Sequence, residues 1–454
     1  MKLFIEKIIA SIWNRLTERR RGARFHGGSL DLGYRADDGY VTRGRITLTS
    51  RERMRHVVVL GKTGSGKSYL LRHMSQQDIM KGRGFIYFDL HGDATPFLLR
   101  TINLRERQEH RHLSDRLILI DPADPIMSVG LNPLEQESPE FVRIAEVSEI
   151  LKRHWGLDHF GARTDELLRN ALFVLSANHL TLVELTPLLA DNGFRSACLE
   201  RVANPEVRQY FDLRYDLASE AMQATMREPI LNKTSAFTAD PKFRHIVGQP
   251  QSSFSFRKAM DEGCWIIVNL AKGRLGAQTL TLGSLIFTMV KNALFARTTD
   301  RLCSIYCDEV QNFVVQASEI ETVLAESRKM STGFVAAHQF MDQLPTEMRS
   351  ALLSVGTHVF FQLSSQDAAQ VAQALGGGRP LAERLKNLPQ RFAIVKAGSE
   401  DWAEVQIPTL HDPPVDYTDL LNRVRYTQGQ VRAHVERDIA ARQKKLRVAE
   451  EGLS

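Results

Sequence analysis

Residues His56–Leu71 run HVVVLGKTGSGKSYLL. Val57, Val58, Val59 and Leu60 form a short apolar, mostly β-branched run, the pattern of a buried strand. It leads directly into Gly61-Lys62-Thr63-Gly64-Ser65-Gly66-Lys67-Ser68, which is G-x-x-x-x-G-K-S, a phosphate-binding loop. Gly61, Gly64 and Gly66 allow backbone angles closed to other residues, so successive N–H groups converge on the α- and β-phosphates at a helix N-terminus. Lys67 brings a point charge to the β- and γ-phosphates, and the Ser68 hydroxyl is placed to ligate Mg²⁺. The cradle for the nucleotide thus spans Gly61 to Tyr69, where Tyr69, Leu70 and Leu71 open an apolar helix. A glycine-rich turn could match this pattern by chance, but the strand before it and the helix after it argue otherwise.

A second motif carries carboxylates. Leu302-Cys303-Ser304-Ile305-Tyr306-Cys307-Asp308-Glu309 is an apolar strand that delivers two adjacent acids at its carboxyl end, as a Walker B element does. Asp308 can hold Mg²⁺ through its water shell, and Glu309 can polarise an attacking water. The following strand, Gly333 to His338, ends in Gln339, an amide able to hydrogen-bond the γ-phosphate or the water. Between the two lies Glu326-Ser327-Arg328-Lys329. Arg328 either enters a neighbouring subunit's nucleotide site to stabilise transition-state charge, or is a surface arginine favoured by the helix C-terminus. Lys329 and Arg274 are the substitutes for that role.

Other strands fit a parallel, doubly wound sheet whose ligands sit at the strands' carboxyl ends. Gly84–Asp89 and Leu117–Asp121 each end in aspartate, which directs Asp89, His91, Asp93 and Asp121 toward the nucleotide edge; loop capping is the alternative, favoured for His91 and Asp93. Residues 138–258 change to helical periodicity, and the sheet resumes at Cys264–Leu270. The expected fold is therefore α/β with an inserted all-helical region. Its parts are a basic amphipathic helix at 1–26, the first half of the nucleotide domain at 27–137, the insertion at 138–258, the second half at 259–412 and a charged tail at 413–454. In the first part Ile5, Ile8, Ile9, Ile12, Trp13 and Leu16 share one helical stripe ahead of Arg19, Arg20, Arg21 and Arg24. Such a helix suits an anionic membrane surface, or docking on the main domain or a partner.

Composition sets outer bounds. With 454 residues, 43% hydrophobic and 25% charged, this is an ordinary globular chain. A net charge of +6 and a pI near 9.1 fit an anionic partner but are spread over a long chain. Cys198, Cys264, Cys303 and Cys307 are too scattered for a disulfide framework or a zinc site, which points to a reducing, cytoplasmic setting. No run approaches a membrane span, and no signal-peptide pattern opens the chain.

Taken together, the phosphate loop, Asp308-Glu309, Ser327-Arg328-Lys329 and His338-Gln339, with a helical insertion in the middle, resemble the HerA/FtsK superfamily of RecA-like motors. Within it the type IV coupling proteins of conjugation and secretion are the nearest likeness. The resemblance spans roughly residues 50–410. It implies a RecA-like P-loop domain, a homohexameric ring with ATP and Mg²⁺ between subunits, DNA in the pore, and relaxosome or secretion-channel partners at the inner face of the cell membrane. Coupling proteins typically begin with two transmembrane helices, and here only the amphipathic segment stands in that place. An ATP-driven DNA translocase is the expected function, with Lys272 and Arg274 among the candidate DNA contacts. The alternatives are an ATPase for protein secretion or pilus assembly, or a nucleotide-gated ring scaffold in a defence system.

Overall fold

Short runs bounded by turn residues form the strands, most of them apolar and four to seven residues long, and all but two line up in one sheet. In chain order they are β1 (Leu30–Asp37), β2 (Tyr40–Leu48), β3 (Val57–Leu60), β4 (Gly84–Asp89) and β5 (Leu117–Ile120). There follow β6 (Met127–Ser128), β7 (Trp265–Asn269), β8 (Cys303–Cys307), β9 (Thr332–His338), β10 (Thr357–Phe360), β11 (Phe392–Ala397), β12 (Ala403–Gln406) and β13 (Gln430–Val431). This computed structural model describes residues 29–37, 39–135, 138–314, 317–341, 345–398 and 401–451. The amphipathic segment expected at 1–26 lies outside the described residues.

The main sheet has 11 strands in the order β2-β1-β12-β11-β10-β3-β9-β8-β4-β7-β5. From β10 to β5 every neighbouring pair is parallel, whereas β11, β12, β1 and β2 extend it antiparallel. The parallel part therefore has one carboxyl edge, where Asp89 ends its strand and Gly61, Asp308 and Gln339 follow theirs. Register sharpens this, because Leu60 pairs with His338 and so sets Gly61 beside Gln339.

Alternation along the strands feeds two cores. Val57, Val59, Tyr87, Leu119, Ile267 and Tyr306 pack on the helices Lys67–Lys81 and Ala94–Glu109. Val58, Ile86, Phe88, Ile118, Ile266 and Ile305 face the other way, into a core they share with the helical segment. Between Glu140 and Glu262 the described residues carry helices and no strand. Trp155, Phe194, Phe211, Phe237 and Phe243 of that segment belong to the same continuous core as the sheet face. The insertion thus packs directly on the sheet.

The charged C-terminal segment is largely helical and docked on the rest of the chain. Thr418–Gln428 is a helix, β13 pairs antiparallel with β6, and a helix over Arg432–Glu451 lies on the helical segment. Val435 and Ile439 are buried there, and Arg442 donates to Glu184 at 3.1 Å and to the Gly248 carbonyl at 2.7 Å. Two apolar residues on one stripe, followed by an arginine for a buried glutamate, anchor a helix whose other faces stay charged.

One buried network ties the loop helix to the Walker B strand. Asp78 accepts from Arg53 through both oxygens, at 2.9 and 2.5 Å, and from the Tyr306 hydroxyl at 2.7 Å. Arg53 also donates to Ser304 Oγ at 2.7 Å. Burial alone would depress the Arg53 pKa, but the Asp78 carboxylate more than reverses this and raises it.

Candidate nucleotide-binding site

The loop after β3 has the backbone its glycines allow: φ is +76° at Gly64 and +127° at Gly66. At Gly61 a Cβ would lie 2.6 Å from Phe361 Cβ and 2.7 Å from Ser65 Oγ, so no larger residue fits. Lys67, 5% exposed, opens the helix Lys67–Lys81 and turns its Nζ back to the Gly61 carbonyl at 2.7 Å. Burial lowers its pKa, while Glu309 and Asp308 pull it upward.

Across the edge, Ser68 Oγ donates to Asp308 Oδ2 at 2.5 Å. Burial raises the Asp308 pKa, partly offset by that hydroxyl and by Lys67. Its other oxygen, Oδ1, is buried and has no partner among the described residues. A hydroxyl beside a carboxylate with one unsatisfied buried oxygen fits a divalent cation. Among the described residues no group of three His, Cys, Asp or Glu forms a metal cage. That suits Mg²⁺, which takes one carboxylate and fills its shell with phosphate oxygens and water.

β9 lies between the phosphate-loop strand β3 and the Walker B strand β8, so Gln339 is set between their loops. Its Nε2 donates to Glu309 Oε1 at 2.7 Å, and Thr63 Oγ1 donates to its Oε1 at 3.0 Å. Gln339 therefore touches the phosphate loop and the candidate water-activating carboxylate at once. Lys67, Ser68, Asp308, Glu309 and Gln339 converge, as expected from their places in the sequence.

Other expected residues do not join them. Asp89 accepts from Gly92 N at 2.9 Å and from Thr95 N and Oγ1 at 2.7 Å, and so caps the next helix. Asp121 accepts from Ala123 N at 2.9 Å and from Asn269 Nδ2 at 3.0 Å. Both carboxylates are occupied by their own loops, while His91 and Asp93 are exposed. Arg328 lies at the opposite edge of the sheet from its own phosphate loop, because β9 runs from near Arg328 to Gln339. Seven strand residues put these ends roughly 20 Å apart. Its exposed side chain makes no hydrogen bond or ion pair among the described residues. Lys329 pairs with Glu326 at 2.6 Å, and Arg274 is exposed at the carboxyl edge after β7.

Several contributors were not legible from sequence. Arg55 shares with Arg328 a cavity of about 520 Å³, also lined by His56 and Gly356. The loop before β11 holds the phosphate loop from outside: Arg391 N donates to the Ser65 carbonyl at 2.9 Å and Gln390 Nε2 to the Gly64 carbonyl at 3.1 Å. The Arg391 guanidinium lies 5.8 Å from the centre of the Tyr69 ring. A tell-tale sign at this loop is absent, as its residues follow the phosphate loop by more than 300 positions.

A phosphate loop, a neighbouring strand ending in glutamine and a third ending in Asp-Glu, all on one parallel edge, define a RecA-like P-loop nucleotide site. Comparison with known proteins narrows the class. Residues 41–157 match the family model for the central domain of helicase HerA. In fold the chain is similar to plasmid coupling protein TrwB in complex with a non-hydrolysable ATP analogue, with TM-score 0.60 and 17% identity, over 87% of this chain and 98% of that one. It is similar to TrwB with the GTP analogue GDPNP as well, with TM-score 0.55 and 16% identity, over 87% and 98% of the two chains. VirB4 of Thermoanaerobacter pseudethanolicus gives TM-score 0.54 and 16% identity, over 85% and 97%. By sequence, no curated protein matches. The comparisons agree on fold: over most of its length the chain is built like TrwB and VirB4, and residues 41–157 match the central domain of helicase HerA.

Proposed function

We propose that the chain is an ATP-hydrolysing DNA translocase that works as a homohexameric ring in conjugative or type IV secretion transfer. The observation that supports it is the meeting of Lys67, the Ser68–Asp308 pair and the Gln339–Glu309 pair at one sheet edge. In this reading the N–H groups of Gly61 to Tyr69 and Lys67 hold the triphosphate. Ser68 and Asp308 would hold Mg²⁺, which would supply neutralisation of charge on the β- and γ-phosphates. Glu309 takes a proton from the attacking water, and Gln339 senses the γ-phosphate from its position against Thr63.

Arg328, too far from its own loop, serves the nucleotide of the next subunit, with Arg55 beside it in the same cavity. In a head-to-tail ring two different surfaces meet at each interface, so the amino edge of one sheet can face the carboxyl edge of its neighbour. DNA is gripped through its phosphates, without regard to sequence, by cations of the carboxyl-edge loops such as Lys272 and Arg274. Relaxosome or secretion-channel proteins are the natural partners, at the inner face of the cell membrane. A peripheral contact through the basic segment 1–26 belongs to this proposal; among the described residues no helix is long and apolar enough to cross a membrane.

Two variants test the site. Lys67→Ala should abolish nucleotide binding, whereas Glu309→Gln should bind ATP normally and fail to hydrolyse it. Normal turnover by Glu309→Gln would remove Asp308-Glu309 from the chemistry and with it the proposal.

A further inference from the structure

The turn after β8 has a geometry that nucleotide binding does not require. Glu309 leaves the strand with φ +55° and ψ +56°, a left-handed conformation that is uncommon for a residue with a side chain. Asn312 holds it there, its N and Nδ2 both donating to the Glu309 carbonyl at 3.0 Å. The tight Val310–Asn312 turn then folds Gln311 back over the acid, and Gln311 Nε2 donates to Glu309 Oε2 at 2.7 Å. The carboxylate selects this amide orientation, because the reverse would set two acceptors face to face. With Gln339 on the other oxygen, Glu309 is held from two sides.

Gln311 has a second end. Its Oε1 is buried and has no hydrogen-bond partner among the described residues. A buried carbonyl left without a donor is unfavourable, and that cost is relieved when a donor arrives with the substrate. The attacking water is such a donor. Glu309 receives one of its protons, and the other needs an acceptor if the lone pair is to point at phosphorus.

We propose that Gln311 is a further water-positioning residue, whose Nε2 fixes Glu309 and whose Oε1 accepts the water proton that is not transferred. This rests on the hydrolytic function proposed above. In the step it serves, the water oxygen bonds to the γ-phosphorus and the bond to the β,γ-bridging oxygen breaks. ADP leaves with that electron pair, one water proton passes to Glu309, and the other remains on the phosphate formed.

Gln311→Ala and the nearly isosteric Gln311→Glu test it in the full-length protein. Binding of a non-hydrolysable ATP analogue should stay within about two-fold of wild type, while single-turnover hydrolysis falls about 10²-fold in both variants. Trapping of ADP with fluoroaluminate, which mimics the attacked phosphate with its water, should weaken by a similar factor. Gln311→Glu keeps the shape but sets an acceptor against the Glu309 carboxylate, whereas Gln311→Ala removes the amide without adding charge, so a loss common to both belongs to the amide and not to charge repulsion. Hydrolysis and trapping within two-fold of wild type in Gln311→Glu would overturn the assignment and leave the ATPase reading standing. Loss of analogue binding in both variants would also overturn it, as the mark of a structural role. Wild-type protein that hydrolyses no ATP would overturn both.

Discussion

Deleting the Asp78 carboxylate should cost about 4 kcal/mol, because it strands a buried charge. Asp78 is 0% and Arg53 2% exposed at the side chain. Asp78→Ala leaves the Arg53 guanidinium charged, since arginine does not deprotonate in proteins, and removing one partner of a buried pair costs about 3–5 kcal/mol. Tyr306 loses its acceptor too, although Arg53 keeps Ser304 Oγ, which holds the loss near the middle of that range. Asp78→Asn retains an acceptor oxygen and should lose roughly half as much. Replacing both partners by apolar residues, Arg53→Met with Asp78→Leu, removes the stranded Arg53 charge and should recover part of that loss, the remainder staying with Tyr306 and Arg83, which still lack the Asp78 acceptor. Guanidinium unfolding followed by tryptophan fluorescence measures all four proteins. A single Asp78→Ala variant that loses under about 1 kcal/mol, or a double variant as unstable as the single, would refute the charge-stranding account.

Mixing Arg328→Ala with Lys67→Ala subunits tests the action of the arginine across subunits. Each variant alone should be inactive, but random 1:1 rings should regain about a quarter of wild-type ATPase, because one interface order in four pairs an intact loop with an intact arginine; no recovery would place Arg328 outside the chemistry. Acid should also destabilise the fold. Burial holds His56, His154 and His338 at a pKa of about 4 against the ordinary 6.5. The unfolded chain therefore protonates first as pH falls, and the stability of the neutral rings, complete above pH 6.5, is lost toward pH 4. Each ring contributes up to about 3 kcal/mol. His154→Gln should flatten the dependence of the unfolding midpoint on pH by one proton, and an unchanged slope would contradict this.

Much of the site could be read in the chain because it follows strands. β3, β8 and β9 are short apolar runs, each followed by a glycine, acid or amide placed for chemistry, and parallel pairing carries those ends to one edge. Residues that act through a fold back or a distant loop gave no such signal. Gln311 meets Glu309 only because Glu309 turns left-handed, and Gln390-Arg391 reach the phosphate loop only because β11 joins the far side of β10. At Asp89 and Asp121 strand-end position misled, since nearby N–H groups and hydroxyls saturate both acids. The docked C-terminal helix was hidden by its own charge, which outnumbers the buried Val435 and Ile439.

The most direct test of the motor is the ATPase rate of wild type and Glu309→Gln, with and without single- and double-stranded DNA, at low and high salt. Hydrolysis that DNA stimulates strongly, that fades as salt rises and that Glu309→Gln abolishes is the predicted result. A rate indifferent to DNA at every salt concentration would contradict the translocase and direct the search to a protein substrate.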